Sequence, residues 1–155
     1  MPLTGYDPER RALDSATVFI HNNLVPGHLY TYRIKAENLM GYGLYSSSFS
    51  FIPRVVPSRP PLAPRNRPSV TTRSVLAFEY DAVLEEGGSE ILSYSVHIDD
   101  GMDADNFVNF TAGTALQFAT SSLAPGVLTL YEGRMYRVKY QAINIAGEGP
   151  LSPEV

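Results

Sequence analysis

Cysteine is absent from all 155 residues. Disulfides, thiolate nucleophiles and cysteine-ligated zinc are therefore excluded. The absence does not choose a compartment, because a cytosolic protein and an exported domain held by its core alone both satisfy it. Tryptophan is missing too, although ten Tyr and seven Phe keep the chain rich in aromatics. No run is long and apolar enough to cross a bilayer, and Met1 to Pro8 lack the basic-then-apolar order of a signal peptide. Direct membrane insertion is not expected. There is no basic excess: the formal charge is −4, the wrong sign for a nucleic-acid binder. Enzyme signatures are missing as well, with no Gly-x-Ser-x-Gly elbow, no glycine-rich phosphate loop and no His-Glu-x-x-His. No enzymatic activity and no cofactor are expected.

What is present points to strands and turns. Twelve Gly and twelve Pro favour many turns over long helices, and 44% hydrophobic residues suffice for a core. The main signal is an internal repeat. The segment from Gly27 to Ser46 and the segment from Gly133 to Ser152 share seven of twenty residues without a gap, at an offset of 133 − 27 = 106. Leu24 and Leu130 extend the match upstream. In the first copy Tyr30, Tyr32, Ile34 and Ala36 alternate with Thr31, Arg33, Lys35 and Glu37. In the second, Tyr136, Val138, Tyr140 and Ala142 alternate with Arg137, Lys139 and Gln141. Period two predicts a strand with one buried and one wet face. Asn38 to Gly43 then supply turn residues able to adopt positive φ, and Leu44 to Phe51 returns as the second arm of a hairpin.

The pattern Leu-x-Pro-Gly-x-x-Tyr, then Ala-x-Asn-x-x-Gly-x-Gly and Ser, resembles the E–F corner, F strand and F–G hairpin of a fibronectin type III domain. The first copy carries it from Leu24 to Ser46, and the second departs only at Glu132, where the first has Pro26. The resemblance implies an all-β, immunoglobulin-like β-sandwich in tandem. It makes Tyr30 and Tyr136 tyrosine-corner residues, with Gly41 and Gly147 in the F–G turns. On this basis residues 1–53 are expected to form the C-terminal part of one domain (strands E, F and G). Residues 54–62 form a Pro/Arg-rich junction, and 63–155 a second domain with strands A to F and a truncated G. Within it, Pro57 to Pro64 leads into an edge strand A. Strand B spans Ser74 to Tyr80, with Tyr80 in place of the family's core Trp. Strand C begins near Ile91 and runs through Ile98, C′ lies in 106–110 and E in 115–120.

Charge is unevenly distributed. Between Ser74 and Gly133 there is no Lys or Arg, whereas Asn38 to Phe78 has no acid but holds Arg54, Arg59, Arg65, Arg67 and Arg73. This asymmetry suggests electrostatic docking of neighbouring modules or a charged partner, although solvated faces produce the same pattern. Glu85 and Glu86 in the B–C loop, with Arg54, Arg59, Arg65 and Arg67, are the candidate contact residues. Asp99, Asp100, Asp103 and Asp105 have the carboxylate density of a calcium loop. No closing Glu completes an EF-hand and aspartate also favours turns, so no metal is assigned. Asn109-Phe110-Thr111 is a glycosylation sequon. His21, His28 and His97 lack metal-ligand spacing.

The family resemblance implies a non-catalytic structural and interaction module of a large repeat protein, acting in adhesion, scaffolding or filament assembly. Its partners would be other protein chains, copies of itself or neighbouring repeats. An extracellular or cell-surface setting is expected. The alternatives are a cytoskeletal or ciliary assembly, or an accessory module of a carbohydrate-active enzyme with Tyr42 and Tyr45 as a platform.

Overall fold

A computed structural model describes residues 18–102 and 105–155. Eleven short strands and one 3-10 turn make up the described chain. In the first part β1 (Tyr30–Tyr32), β2 (Glu37–Asn38), β3 (Gly41–Tyr42) and β4 (Phe49–Phe51) form one long hairpin. Its two paired ends, β1 with β4 and β2 with β3, are bridged by Gly43 N–H to Ala36 O at 2.8 Å and Ser46 N–H to Ile34 O at 2.7 Å.

The second part is a two-layer antiparallel sandwich. One sheet has the order β5 (Arg65–Asn66), β6 (Ala77–Glu79), β9 (Gln117–Ala119). The other has the order β11 (Gly147–Glu148), β10 (Val138–Asn144), β7 (Ile91–Asp99), β8 (Phe107–Thr111). Alternation explains the layering. Tyr94, Val96 and Ile98 of β7 and Val138, Tyr140 and Ala142 of β10 turn one face inward, where they meet Phe78, Tyr80, Phe110 and Phe118. Each large side chain buried here contributes roughly 1.5–3 kcal/mol.

Three tyrosines occupy the centre. The rings of Tyr80 and Tyr140 lie 4.7 Å apart, and Tyr94 is 5.3 Å from Tyr80 and 6.2 Å from Tyr140. A buried phenol needs a partner. Tyr80 Oη donates to Ala115 O at 2.9 Å; Tyr140 Oη donates to Asp81 O at 3.0 Å and accepts from Asp81 N–H at 3.2 Å. Burial pushes both phenols above their ordinary pKa.

The repeat is reproduced bond by bond. Adding 106 carries the Asn38–Gly41 pair to Asn144–Gly147, and Glu37–Tyr42 to Ile143–Glu148. It carries Gly43 N–H to Ala36 O onto Gly149 N–H to Ala142 O, and Ser46 N–H to Ile34 O onto Ser152 N–H to Tyr140 O. The Tyr32–Phe49 pair becomes Val138 with Val155, which exchange two backbone hydrogen bonds at 2.9 and 3.1 Å. Side chains follow. Tyr30 Oη accepts from Val25 N–H at 2.8 Å, and Tyr136 Oη accepts from Tyr131 N–H at 2.7 Å. Ser46 Oγ accepts from Ile34 N–H and Ser152 Oγ from Tyr140 N–H. The two hairpins differ in what covers them. Ile34 is 73% exposed, while Tyr140, its equivalent, is fully buried, because among the described residues only the second hairpin has sheets facing it.

Two expectations need correction, whereas the edge strand into which Pro57 to Pro64 is expected to lead forms at Arg65–Asn66, at the margin of its sheet. Pro57, Pro60 and Pro64 are fully buried and have no N–H to donate, so this segment packs without joining a ladder. The second arm of the first hairpin pairs as a strand only at β3 and β4, not continuously from Leu44. The G-strand position is filled further than expected, since Gly149 to Val155 runs hydrogen-bonded along β10.

Replacing Tyr140 by Phe removes both bonds to Asp81 while keeping the ring. A loss of about 1–2 kcal/mol is expected, measured as a lower urea midpoint by far-ultraviolet circular dichroism with an unchanged slope.

Candidate interaction surface

The B–C loop of the sandwich turns sharply at Gly87 (φ 76°) and Gly88 (φ 81°), a region open to glycine at little steric cost. The turn lets the backbone of the 53–58 segment lie against it. Val55 N–H donates to Gly87 O at 2.9 Å and Ser58 N–H to Glu85 O at 2.8 Å. Ser58 Oγ accepts from Glu85 N–H at 3.1 Å. Asn144, at the F–G turn, donates through Nδ2 to Val55 O at 2.8 Å and Glu86 O at 2.7 Å. The first hairpin joins through its own corner, where Gly27 N–H donates to Pro53 O at 3.0 Å. Beside this junction lies an open cavity of about 310 Å³, lined by Arg54, Gly88, Ser89, Glu90, Leu92 and Ile145. Ser89 Oγ is buried there without a hydrogen-bond partner among the described residues.

The candidate residues separate into two groups. Arg54, Arg59, Glu85 and Glu86 are exposed around the junction. Arg65 and Arg67 are engaged by other residues on the surface of the sandwich. Arg65 reaches Asp81 through both terminal nitrogens, at 2.7 and 3.1 Å, and Glu79 at 3.3 Å. Arg67 Nη1 donates to Gln117 Oε1 at 2.6 Å. The hydrogen bonds from Asp81 and then Glu79 raise the pKa of Arg65, and Arg65 in turn lowers that of Asp81. These pairs clamp β5 to its neighbours, so the basic junction keeps fewer free cations than its composition suggests. Leu24 and Leu130 are half-buried below the corners.

The aspartate run is not built as a cation site. Asp99 is 1% exposed and its carboxylate is already filled: Oδ1 accepts from the N–H groups of Arg137 (2.8 Å) and Gly101 (3.1 Å), and Oδ2 accepts from Arg137 Nε (2.8 Å). A guanidinium stands where a calcium reading needs an ion. Asp100 caps Met102 N–H and accepts from Asn106, and Asp105 is highly exposed. Asp103 lies outside the described residues. Among the described residues no cluster of three or more potential metal-ligating side chains occurs. Asp99, Asp100 and Asp105 thus serve in turn formation and ion pairing.

Tyr42 and Tyr45 do not present bare faces either. Lys35 Nζ stands 3.6 Å from the Tyr42 ring centre, and the Arg33 guanidinium 4.7 Å from that of Tyr45. A sugar platform would need those faces free. Asn109 is exposed on β8, its side-chain carbonyl accepting from Ser95 Oγ. His21 is shared with the Tyr32 hydroxyl at 2.6 Å, and burial holds His97 below its ordinary pKa.

Sequence reasoning missed the junction contacts of Gly27, Gly87, Gly88 and Asn144, and the Asp99–Arg137 pair. Asn144 did carry a signal, as one of the identical positions in the repeat. Gly27 carried the same signal, as the position matching Gly133, whereas Gly87 and Gly88 had none, because their partners are distant in the chain.

Three-on-four antiparallel sheets, with a tyrosine hydroxyl pinning the corner before the penultimate strand, are the fibronectin type III fold. No family model matches the chain. It is 28% identical over 134 residues to fibronectin type-III domain-containing protein 3a of Gallus gallus. That match covers 86% of this chain but only 10% of the relative. Among solved structures, a solution structure of a human fourth FNIII domain aligns with a TM-score of 0.51 and 19% identity, covering 66% of this chain and 78% of that one. A crystal structure of domains from titin aligns with a TM-score of 0.53 and 16% identity, covering 80% and 38%. The likenesses to solved structures are statements of fold.

Asp99 yields a pH prediction. Burial pushes its carboxyl up, but the bonds from Arg137 and Gly101 outweigh this and hold it below the ordinary range. A carboxylate with depressed folded pKa stabilises above its unfolded pKa of about 3.9, and that stability disappears as pH falls through the folded value. Asp99→Asn is expected to cost about 1.5–3 kcal/mol at pH 7, and the difference from the parent chain should shrink below about pH 4. Urea titrations at pH 7 and pH 3 check both.

Proposed function

We propose that this chain is a non-catalytic interaction and spacer segment of a much longer repeat protein, made of the end of one sandwich module (1–53), a short junction (54–62) and a second module (63–155). The reading is carried by the coincidence of two hairpins under a single offset of 106, down to equivalent corner, turn and serine hydrogen bonds. A repeated unit with the same corner suits a scaffold in which position along the chain matters. The fibronectin type III relative, of which this chain spans a tenth, is compatible with such a setting.

Contact with other protein chains runs through loops and strand edges. Glu90 is exposed, and Asp100 and Asp105 lie at the C–C′ turn of the sandwich, where Asp105 keeps a highly exposed carboxylate 3.9 Å from Arg137 Nη1. Such acids attract basic surfaces over about 8–10 Å at physiological salt. The exposed sequon at Asn109 supports an extracellular or cell-surface location, and a glycan there would project from the outer edge strand β8.

Carboxylate-reactive cross-linking of the intact parent protein in its native assembly tests the reading. Links from Glu90, Asp100 or Asp105 to other protein chains are expected, with yields falling as salt rises from roughly 0.15 to 0.5 M. Absence of any intermolecular link, or yields that ignore salt, would overturn it. Glycopeptide mass spectrometry of protein from its native source should find Asn109 occupied; a bare Asn109 moves the module to an intracellular lattice.

A further inference from the structure

The junction holds a contact that a flexible linker does not need. Gly88 presses on the corner of the preceding hairpin, so that a Cβ at 88 would stand 2.2 Å from Gly27 N and 2.7 Å from Pro26 C. The reverse holds, since a Cβ on Gly27 would meet Gly88 Cα at 3.1 Å. One residue earlier, a Cβ at Gly87 would stand 2.1 Å from Val55 O and 2.8 Å from Val56 O. Further on, a Cβ at Gly149 would come within 2.7 Å of Pro57 O. All these neighbours are backbone, which cannot swing aside as a side chain can. The backbone of the first hairpin, the linker and the second sandwich thus meet along a line of glycines.

Each surface is also tied by hydrogen bonds. Gly27 is held to Pro53, Val55 to Gly87, Ser58 to Glu85, and Asn144 Nδ2 spans Val55 O and Glu86 O. Pro57 and Pro60 are fully buried in the second sandwich, and proline removes φ freedom where the linker enters.

We infer that the Gly87–Gly88 loop is a docking surface for the proline-glycine corner of the module before it, and that their contact sets a fixed angle between consecutive modules. The inference rests on the two-module reading above and adds a named partner to one loop. The occupant is the segment Val25-Pro26-Gly27 and its like. The loop backbone is therefore spent within the chain and unavailable to a foreign ligand, while the side chains of Glu85 and Glu86 face outward.

The chain has no cysteine, so paired spin labels can be placed cleanly. Labels go at Ser48→Cys on the first hairpin and Thr111→Cys on the sandwich, both exposed, and the distance distribution is read by pulsed electron resonance. The labelled chain should show one narrow distance. Gly88→Ala should shift or broaden it by several ångströms. Gly27→Ala should do so to a smaller degree, with the sandwich's own loop untouched. Gly113→Ala is the control: its φ is +61° but open space surrounds its Cβ position, so it has comparable backbone strain without the contact, and its distribution should match the parent's. Near-ultraviolet circular dichroism of the tyrosines follows folding, and should Gly88→Ala unfold the sandwich, Gly27→Ala decides. A distribution already broad in the labelled chain, or one left unchanged by both Gly27→Ala and Gly88→Ala, overturns the fixed angle. Intermolecular cross-links surviving that outcome would leave the proposed function standing.

Discussion

A strand can keep one face dry only if the strands beside it hold register, because a slip of one residue turns every side chain over. In this chain that duty falls on β10. It pairs with β7 from Val138–Ile98 to Asn144–Ile91 on one side, and with Gly147 to Val155 on the other. Tyr136 anchors its entry by accepting from Tyr131 N–H, and Asn144 ends it by capping Ala146 and Gly147 through Oδ1. With both ends pinned, Val138, Tyr140 and Ala142 have no choice of face. The tyrosine centre, the opposing sheet and the junction are all built around that placement.

The same constraint explains what could be read from residues alone. Period-two alternation, the corner tyrosine and the glycines of the turn are local, so both hairpins were visible, and so were the positions of the B, C, C′ and E strands to within a few residues. Gaps arose where the decisive partner is remote. Proline composition marked a linker into an edge strand, which forms at Arg65–Asn66, but gave no sign that Pro57, Pro60 and Pro64 would be fully buried. The clustered aspartates had the carboxylate density of a cation loop, although no metal was assigned; that Arg137, 38 residues beyond Asp99 and just before β10, holds the carboxylate was not legible. Arg65 and Arg67 read as free surface charge, but Asp81 and Gln117 hold them. Composition reports how many charges there are; only the fold reports which are already paired.

A core centred on tyrosines, in a chain without tryptophan, sets the chemistry of the centre. Tryptophan offers one donor, whereas a phenol both donates and accepts. Tyr140 uses both capacities on the backbone of Asp81, and Tyr80 reaches the loop before β9. The hydroxyls therefore stitch core rings to the loops at one end of the sandwich, a link an indole at Tyr80 could not copy with the same geometry. Asp81 is also the residue that receives Arg65. One short turn after β6 thus joins the core, the edge strand and the surface charge.

The corner at Gly133 has the same backbone form as that at Gly27, with φ of 85° against 81°, yet among the described residues nothing lies within 4 Å of its missing Cβ. The first corner is seated and the second is bare. If a further sandwich were to seat there by the same contact, every step would repeat one rotation and one translation. A string of such units would trace a screw of constant pitch, not a random walk, and equivalent side chains would recur along it in a spiral row.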